Sequence, residues 1–330
     1  MPSLSPMTIL PLRLFVPTLA TAVPFLTRRI PDINYAASGI NHFPDPSILQ
    51  VDGVWYAYAT TYGGNNVQIA TSTDYATWTH LDSDGLPAVG AWADQGAPAV
   101  WAPDVVVNDY GGYVLYYSAK LPDAALHCVG AAAADSPEGP FSAFDEVFAC
   151  PTAQGGAIDA DGFQDSDGTR YVVYKMDGNA IGNGGNCGNS VEPIVATPIM
   201  LQKVSGDGHS KSGDAVQILD RGEADGPLVE APSLMRSDDG KYVLFFSSNC
   251  YSSEWYDISY AMADSVSGPY TKSGPFAVTG TSGLYAPGGL DVATDGTHVS
   301  FHAGNINTEG RAMYTAQITI DSGGLWVYTI

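Results

Sequence analysis

Short apolar stretches alternate with polar turns along most of the chain, and five segments repeat one plan. Each opens with a polar or proline-containing entry, runs into an apolar strand, turns at Gly with Asp or Asn, and enters a second strand rich in Tyr, Val and Phe. The segments start at Phe43, Trp101, Ile158, Val229 and Ala286. Paired apolar runs around a glycine turn predict β-hairpins rather than helices.

A third apolar run follows each hairpin, and a weaker fourth run follows the third. The third runs read VQIATSTD, CVGAAAADS, PIMLQKVS, ISYAMADS and AMYTAQIT. Five repeats of four strands are typical of a β-propeller, in which four-stranded blades surround a central channel. The predicted fold class is therefore all-β, a five-bladed β-propeller with four-stranded blades. The alternative that strand density alone allows is a β-sandwich with regular hairpins.

Four of the repeats carry an acidic residue near their start, at Asp45, Asp104, Asp159 and Glu230. Taken as equivalent positions, they lie where the innermost strand of each blade begins near the axis, so we expect them to converge in one funnel. A sandwich gives no reason for this recurrence. Asp161 competes with Asp159, because residues two apart on a strand face the same side.

Composition narrows the classes of partner. The 330 residues include 13 Lys and Arg against 35 Asp and Glu, which gives a net charge of −22. A field this negative repels phosphate backbones and anionic lipids, so neither nucleic acid nor a membrane is an expected partner. A hydrophobic content of 45% excludes a disordered chain.

The N-terminal region differs from the rest of the chain. Residues 7–26 are largely apolar, but Arg13 and three prolines interrupt them, which argues against a membrane-spanning helix. Ala20, Thr21 and Ala22 supply the small-x-small pattern of a signal-peptidase site, and a disordered tail is the alternative. The predicted division is a signal peptide at 1–22, an N-terminal segment at 23–39 and the propeller at 40–330.

Four cysteines permit three pairings, and in a secreted chain an even number favours disulfides. Cys128 begins a strand-like run and Cys150 ends the following one, so their short separation predicts a bridge between them. Cys187 then pairs with Cys250 by elimination. No CxxC or Cys/His spacing suggests zinc.

The blade openings resemble those of glycoside hydrolase family 43, whose members are secreted five-bladed propellers acting on arabinose- and xylose-containing plant polysaccharides. The motifs are FPDPSI from Phe43, WAPDV from Trp101, IDADGFQDSDG from Ile158 and EAPSL from Glu230. The resemblance spans about residues 40–330. The third motif departs from the family pattern, because Ala160 and Asp161 stand where Pro and Ser are usual, and the fifth reads PGGLDV where many members have Gly-His.

The resemblance implies roles for individual residues. By motif position Asp45 is similar to the general base, Glu230 to the general acid, and Asp159 to the residue that modulates the acid's pKa and positions it. Asp104 would have a structural or substrate-contact role. An inverting glycosidase needs one carboxylate to activate water and one carboxylic acid to protonate the leaving oxygen, and the family requires no cofactor.

Three further residues match family positions. Trp101 is expected to stack on a sugar ring, although a core tryptophan between blades is the alternative. Arg311 resembles an arginine that reaches the active site, and a surface salt bridge is its alternative. His302 resembles the axial histidine that helps hold a metal, often calcium, through waters at the propeller centre, although it could equally be an ordinary core histidine.

The predicted activity is that of an exo-acting α-L-arabinofuranosidase, because the Gly- and Asn-rich stretch 176–195 could wall one side of a pocket. Endo-1,5-α-L-arabinanase and β-xylosidase are alternatives on the same fold. A non-catalytic carbohydrate-binding propeller is the alternative from another class. We expect a secreted monomer whose partner is a plant polysaccharide or oligosaccharide.

Overall fold

A computed structural model describes Met1 and residues 36–304, 310–321 and 324–328. This part of the chain forms five antiparallel sheets arranged as blades, so the predicted all-β five-bladed propeller is confirmed. Within it, no helix is long and apolar enough to cross a membrane. Apart from Met1, the signal peptide predicted at 1–22 lies outside the described residues.

The first four blades each contain four consecutive strands, ordered from the axis outward. Numbering starts with β1 (Ala36–Ala37). Blade 1 contains β2 (Ser47–Val51), β3 (Val54–Ala59), β4 (Gln68–Ser72) and β5 (Thr79–His80). Blade 2 contains β6 (Trp101–Val107), β7 (Tyr113–Lys120), β8 (His127–Ala134) and β9 (Ser142–Ala143). Blade 3 contains β10 (Ala157–Gln164), β11 (Arg170–Met176), β12 (Ile199–Val204) and β13 (Val216–Leu219). Blade 4 contains β14 (Val229–Arg236), β15 (Tyr242–Ser248), β16 (Asp257–Ala263) and β17 (Thr271–Ala277).

The fifth blade joins the two ends of the propeller. It contains β18 (Gly288–Val292), β19 (His298–Ala303) and β20 (Ala312–Asp321), and the outer edge of β20 pairs with both β1 and β21 (Gly324–Tyr328). Strands from both ends of the described chain therefore share one sheet and close the ring. The propeller takes in Ala36 and Ala37, which precede the boundary expected at residue 40. Short 3₁₀ helices occupy Thr152–Gln154, Gly178–Ile181, Asn186–Gly188, Glu223–Asp225 and Thr281–Gly283.

Hydrophobic clusters lie between neighbouring blades, one at each of the five junctions. Buried Tyr58 and Tyr117 belong to the cluster between blades 1 and 2, and buried Phe245 and Phe301 to the one between blades 4 and 5. Because the apolar surface is covered between blades, the inner strands are free to present polar side chains to the axis.

Each inner strand begins with the same backbone distortion. A residue with positive φ stands there in every blade, namely Asp45 (54°), Ala102 (41°), Asp159 (57°), Ala231 (48°) and Gly289 (57°). In blades 2 to 5 the pairing register shifts at this residue, as in a β-bulge. Bulges re-aim side chains, and left-handed backbone at non-glycine residues is typical of functional sites.

The sequence suggested that the four acidic residues occupy equivalent positions, and the location of the bulge shows that they do not. Asp45 and Asp159 share the positive-φ position. Asp104 lies two residues beyond it, where blade 3 has Asp161, and Glu230 lies one residue before it. The four acids therefore occupy three different positions along the inner strands. Successive positions on a strand also alternate between its two faces.

Both predicted disulfides are present. Cys128 is bonded to Cys150 and Cys187 to Cys250, and no described cysteine is free. The second bridge joins the loop after β11 to the loop after β15. It therefore ties blade 3 to blade 4 on one side of the axis.

Candidate active site

One pocket of about 370 Å³ lies over the start of the inner strands and is lined from all five blades. The carboxylates of Asp45, Asp159 and Glu230, here called the pocket carboxylates, all line it. Trp101 and Arg311 line it as well. The pocket thus brings together five residues that the sequence singled out.

Both carboxylate oxygens of Asp45 accept hydrogen bonds. Arg311 donates from Nη1 to Oδ1 at 2.9 Å, and Thr60 donates its hydroxyl to Oδ2 at 2.6 Å. Burial alone would raise the pKa of Asp45, but the charge of Arg311, the His302 ring and these hydrogen bonds outweigh it and lower the pKa. Asp45 is therefore a carboxylate at neutral pH, as a base that activates water must be.

Asp159 lies in a different electrostatic environment. Its Oδ2 accepts a hydrogen bond from the backbone N–H of Ala231 at 2.9 Å. Burial, and then the charge of Glu230, raise the pKa of Asp159 to about 8, although Lys175 opposes the shift. Asp159 therefore retains its proton at neutral pH.

Glu230 accepts hydrogen bonds at both carboxylate oxygens. Tyr256 donates its hydroxyl to Oε1 at 2.9 Å, and Lys175 donates from Nζ to Oε2 at 3.0 Å. Lys175 is fully buried, and its Nζ also lies 3.0 Å from Oδ1 of Asp177. Burial would lower the pKa of Lys175, but Asp177, Glu230 and Asp159 raise it overall, so Lys175 is a buried cation.

Lys175, Asp177 and Tyr256 also line the pocket and were not predicted from the sequence. A lysine in the apolar run YVVYKM of β11 was the available signal, because lysine is almost never fully buried unless it is paired. The partners of Lys175 could not be predicted from the sequence, since Lys175 and Glu230 are 55 residues apart in the chain.

His302 lies behind Asp45, fully buried. Its Nδ1 accepts a hydrogen bond from the backbone N–H of Asp45 at 3.0 Å, and burial followed by the charge of Arg311 lowers the pKa of His302 to about 3. The neutral ring therefore carries its proton on Nε2, which is then a donor and offers no lone pair to a cation. A contact with a metal through water, as the resemblance implies, stays a prediction.

Trp101 is a pocket-wall residue rather than a core residue. Its side chain is 36% exposed and stacks on His127, with ring centroids 3.5 Å apart. Burial lowers the pKa of His127 to about 4, so this imidazole is neutral. The stacked pair offers a flat face to the pocket, which suits a sugar ring.

Arg311 is a partner of Asp45 rather than a surface ion pair. The guanidinium also lies over the ring of Tyr251, 5.1 Å from the centroid. Tyr251 follows Cys250, so the bridge from Cys187 holds this aromatic residue at the pocket wall.

Asp161, the competitor of Asp159, does not line this pocket. It lines a smaller cavity further along the axis, together with Asp104 and Asp291. The geometry therefore brings Asp159, and not Asp161, beside Glu230.

The model of the family described as glycosyl hydrolases family 43 matches residues 39–325. The chain belongs to this family. Family 43 enzymes hydrolyse glycosidic bonds with inversion of configuration and need no cofactor for catalysis. The recognition made from the blade-opening motifs is confirmed.

Individual relatives are distant. An extracellular endo-alpha-(1->5)-L-arabinanase of Bacillus subtilis is 24% identical over 68% of this chain, which spans about half (49%) of that protein. A beta-D-galactofuranosidase of Aspergillus niger is 25% identical, with 82% of this chain and 76% of that protein covered. Among solved structures, a thermostable family-43 glycoside hydrolase has a TM-score of 0.72 at 25% identity, covering 89% of this chain and 96% of the other.

Proposed function

We propose that this protein is an inverting glycoside hydrolase that removes terminal α-L-arabinofuranosyl units from arabinose- or xylose-containing plant cell-wall polysaccharides. The observation that carries the proposal is the arrangement of three pocket carboxylates in unlike electrostatic environments within one pocket. Asp45 is held ionised by Arg311 and by hydrogen-bond donors, whereas burial and the charge of Glu230 raise the pKa of Asp159 to about 8.

Asp45 acts as the general base. Its ionised carboxylate removes a proton from a water molecule, which attacks the anomeric carbon from the face opposite the leaving group. Arg311 and Thr60 hold the two oxygens, so the base keeps one orientation throughout the reaction.

Glu230 acts as the general acid and protonates the departing glycosidic oxygen. We assign to Asp159 the role of modulating the pKa of this acid and positioning it, because its own carboxyl lies close enough to be affected by the charge of Glu230. Lys175 and Tyr256 fix the Glu230 side chain from both oxygens.

Exo action is supported by the shape of the walls. Lining residues come from all five blades, and Cys187 and Tyr251 lie in the two loops that the disulfide joins. A pocket closed on its sides accepts the end of a chain more readily than its middle. Endo-arabinanase is the second candidate, because the Bacillus subtilis relative carries that name.

Two measurements test this function. Proton NMR of the first sugar released from an aryl α-L-arabinofuranoside should show inverted configuration before mutarotation, whereas a retained anomer would contradict the role of Asp45. Product analysis on debranched arabinan should give arabinose from the first minutes with little loss of viscosity. A ladder of oligosaccharides would instead support endo action and leave the inverting mechanism intact.

A protein that only bound carbohydrate would not need the three pocket carboxylates, which supply a base and an acid. Inactive protein that still binds arabino-oligosaccharides, with Glu230→Gln as the matched reference, would favour that alternative. We further propose that the protein works outside the cell, since two disulfides persist best in an oxidising compartment.

A further inference from the structure

Three exposed aromatic residues lie on two neighbouring loops beside the pocket. Tyr251 and Trp255 belong to the loop between β15 and β16, and Tyr285 belongs to the loop between β17 and β18. They are 39%, 69% and 38% exposed, respectively. Both loops lie at the pocket end of their blades, since β15 ends opposite Glu230 and β18 begins at that end. These three residues are here called the aromatic rim.

One side chain joins the two loops. Thr279 donates its hydroxyl to the carbonyl oxygen of Glu254 at 2.6 Å and accepts a hydrogen bond from the backbone N–H of Ala286 at 2.9 Å. Glu254 precedes Trp255 in the chain, and Ala286 follows Tyr285. The backbone segments that carry these two rings are therefore held next to each other, so the aromatic rim is one continuous surface across blades 4 and 5.

The loop that carries Trp255 is anchored on both sides of the indole. Cys250 is bonded to Cys187, and Ser253 donates both its N–H and its hydroxyl to the carbonyl oxygen of Cys250 at 2.8 Å. After Trp255 the chain returns to the interior, where Tyr256 is only 2% exposed. An aromatic side chain on an anchored loop loses little conformational entropy when a ligand covers it. The exposed indole is therefore pre-organised for binding and contributes little to the core.

The same loop contacts the residue assigned as the general acid. Tyr256 follows Trp255 and donates its hydroxyl to Oε1 of Glu230 at 2.9 Å. An acid that protonates the glycosidic oxygen must lie beside the sugar that departs. Tyr251 lines the pocket itself and so connects its interior to the aromatic rim. The rim therefore lies on the side of the pocket where the departing part of the substrate emerges.

The chemistry of the aromatic rim favours a neutral sugar chain. Its rings offer flat apolar faces, and the tyrosine hydroxyls and the indole N–H offer hydrogen bonds at the ring edges, a combination that suits sugars. The net charge of −22 opposes chains of acidic sugars. Glu254, which is exposed beside Trp255, places one of these negative charges at the rim itself. Pentose chains without carboxylates therefore fit the rim better than uronic acid chains.

We propose that the aromatic rim binds the departing part of the substrate, a neutral chain of arabinose or xylose units that leaves the pocket over Trp255 and Tyr285. The inference rests on the proposed function, because the chain emerges on this side only if Glu230 is the acid. Only a leaving group of several sugar units is long enough to reach from the pocket to the rim. The rim therefore selects oligomeric and polymeric substrates over small glycosides.

Binding to an inactive protein tests the aromatic rim separately from catalysis. In a Glu230→Gln background, titration calorimetry should show tighter binding of arabinotetraose or xylotetraose than of arabinose. Adding Trp255→Ala should lower the tetrasaccharide affinity by roughly fivefold to tenfold with little change for arabinose, and Trp255→Phe should restore most of the loss. An Asp45→Asn background gives the same comparison if Glu230→Gln does not fold.

Tyr110→Ala is the matched control for these measurements. Tyr110 is 80% exposed, but it lies in the turn between β6 and β7, at the end of blade 2 away from the pocket. Its replacement should leave the affinity for both tetrasaccharides unchanged.

The two tetrasaccharides identify the kind of chain, since the rim binds the one whose affinity depends on Trp255. Tetrasaccharide binding no tighter than that of arabinose, or an equal loss in Trp255→Ala and Tyr110→Ala, would overturn the proposal. Hydrolysis by the wild type without Trp255-dependent binding would reject the rim and leave the proposed function intact. Trp255-dependent binding without any hydrolysis by the wild type would instead reject the proposed function and leave the rim as a carbohydrate-binding surface.

Discussion

Two sets of three carboxylates lie on one axis, and they differ in the charged groups that surround them. The pocket carboxylates have cations built into the chain, Arg311 beside Asp45 and Lys175 beside Glu230. Asp104, Asp161 and Asp291, here called the axial ring, line a cavity further along the axis and accept backbone hydrogen bonds. None of the ion pairs among the described residues includes them. Both sets are buried, so the difference lies in the charge that balances them.

The comparison separates two uses of a buried carboxylate. Arg311 helps to keep Asp45 ionised, whereas burial and the charge of Glu230 raise the pKa of Asp159, and a base and an acid in one pocket require such unlike environments. Equivalent positions without a cation give the axial ring three carboxyl groups whose pKa values are raised, first of all by burial. A propeller supplies both arrangements because each inner strand presents a residue at each height.

The largest contrast should appear on removing one charge from each set. Asp45→Asn should lower kcat by roughly 10³-fold or more on natural and aryl substrates alike, because water activation is needed whatever group leaves. Asp104→Asn, which is the same change at the level of the ring, should retain activity within about tenfold. Steady-state kinetics on both variants test this contrast. If Asp104→Asn were as inactive as Asp45→Asn, the two sets of carboxylates would not differ in function.

A second prediction distinguishes roles within the pocket carboxylates. Glu230→Ala should reduce hydrolysis of arabino-oligosaccharides by roughly 10²–10⁴-fold but largely spare aryl glycosides whose leaving group needs little protonation. The same substrates should be assayed with Asp159→Ala. If Asp159→Ala shows the leaving-group dependence and Glu230→Ala does not, then Asp159 is the acid.

A third prediction concerns the charges around the acid. Asp159→Asn removes a neighbour that becomes negative when it deprotonates, so the alkaline limb of the pH–rate profile should move to lower pH. Lys175→Met removes the cation, so the limb should move to higher pH, and the unpaired buried carboxylates should reduce the free energy of unfolding by about 3 kcal/mol. If the alkaline limb moved in the same direction in both variants, this electrostatic account of Asp159 and Lys175 would be contradicted.

The smallest effect concerns the pH dependence of stability that the axial ring contributes. Folding raises the pKa of Asp104, Asp161 and Asp291 above the values of the unfolded chain, so the folded state binds more protons. Their contribution to the free energy of unfolding is greatest below about pH 4 and falls as the pH rises. Denaturant unfolding between pH 4 and 8 should show this loss, and Asp161→Asn should flatten it. An identical pH dependence in wild type and variant would mean that the ring makes no such contribution.

Much of the architecture was predictable because it depends on local pattern. Hairpins with glycine turns and a third strand recur at regular intervals, so strand number and blade number followed from the chain. The motif around Asp45 and that around Glu230 pointed to one pocket because propeller topology brings blade openings to the axis. The pairing of Cys128 with Cys150 followed from strand spacing.

Other features were not predictable because they depend on contacts between distant segments. The equivalence of Asp104 with Asp159 failed, since Ala102 is the positive-φ residue of blade 2, which puts Asp104 at the position of Asp161, and only the pairing of the strands shows this. Lys175 was passed over because a lysine is normally solvated, and only its contact with Glu230 across two blades explains its burial. The strand Ala36–Ala37 was too short to recognise without its partner β20.

The sequence by itself determined the fold class, the blade number and the family, and it predicted three acidic residues for one site, because periodicity and motif order can be read from the chain alone. Tertiary structure decided which of those acids share a pocket, which of them is ionised, and which carboxylates form a second set below. Proton affinity depends on burial and on the distance to other charges. Those distances exist only after five separate stretches of chain have closed around one axis.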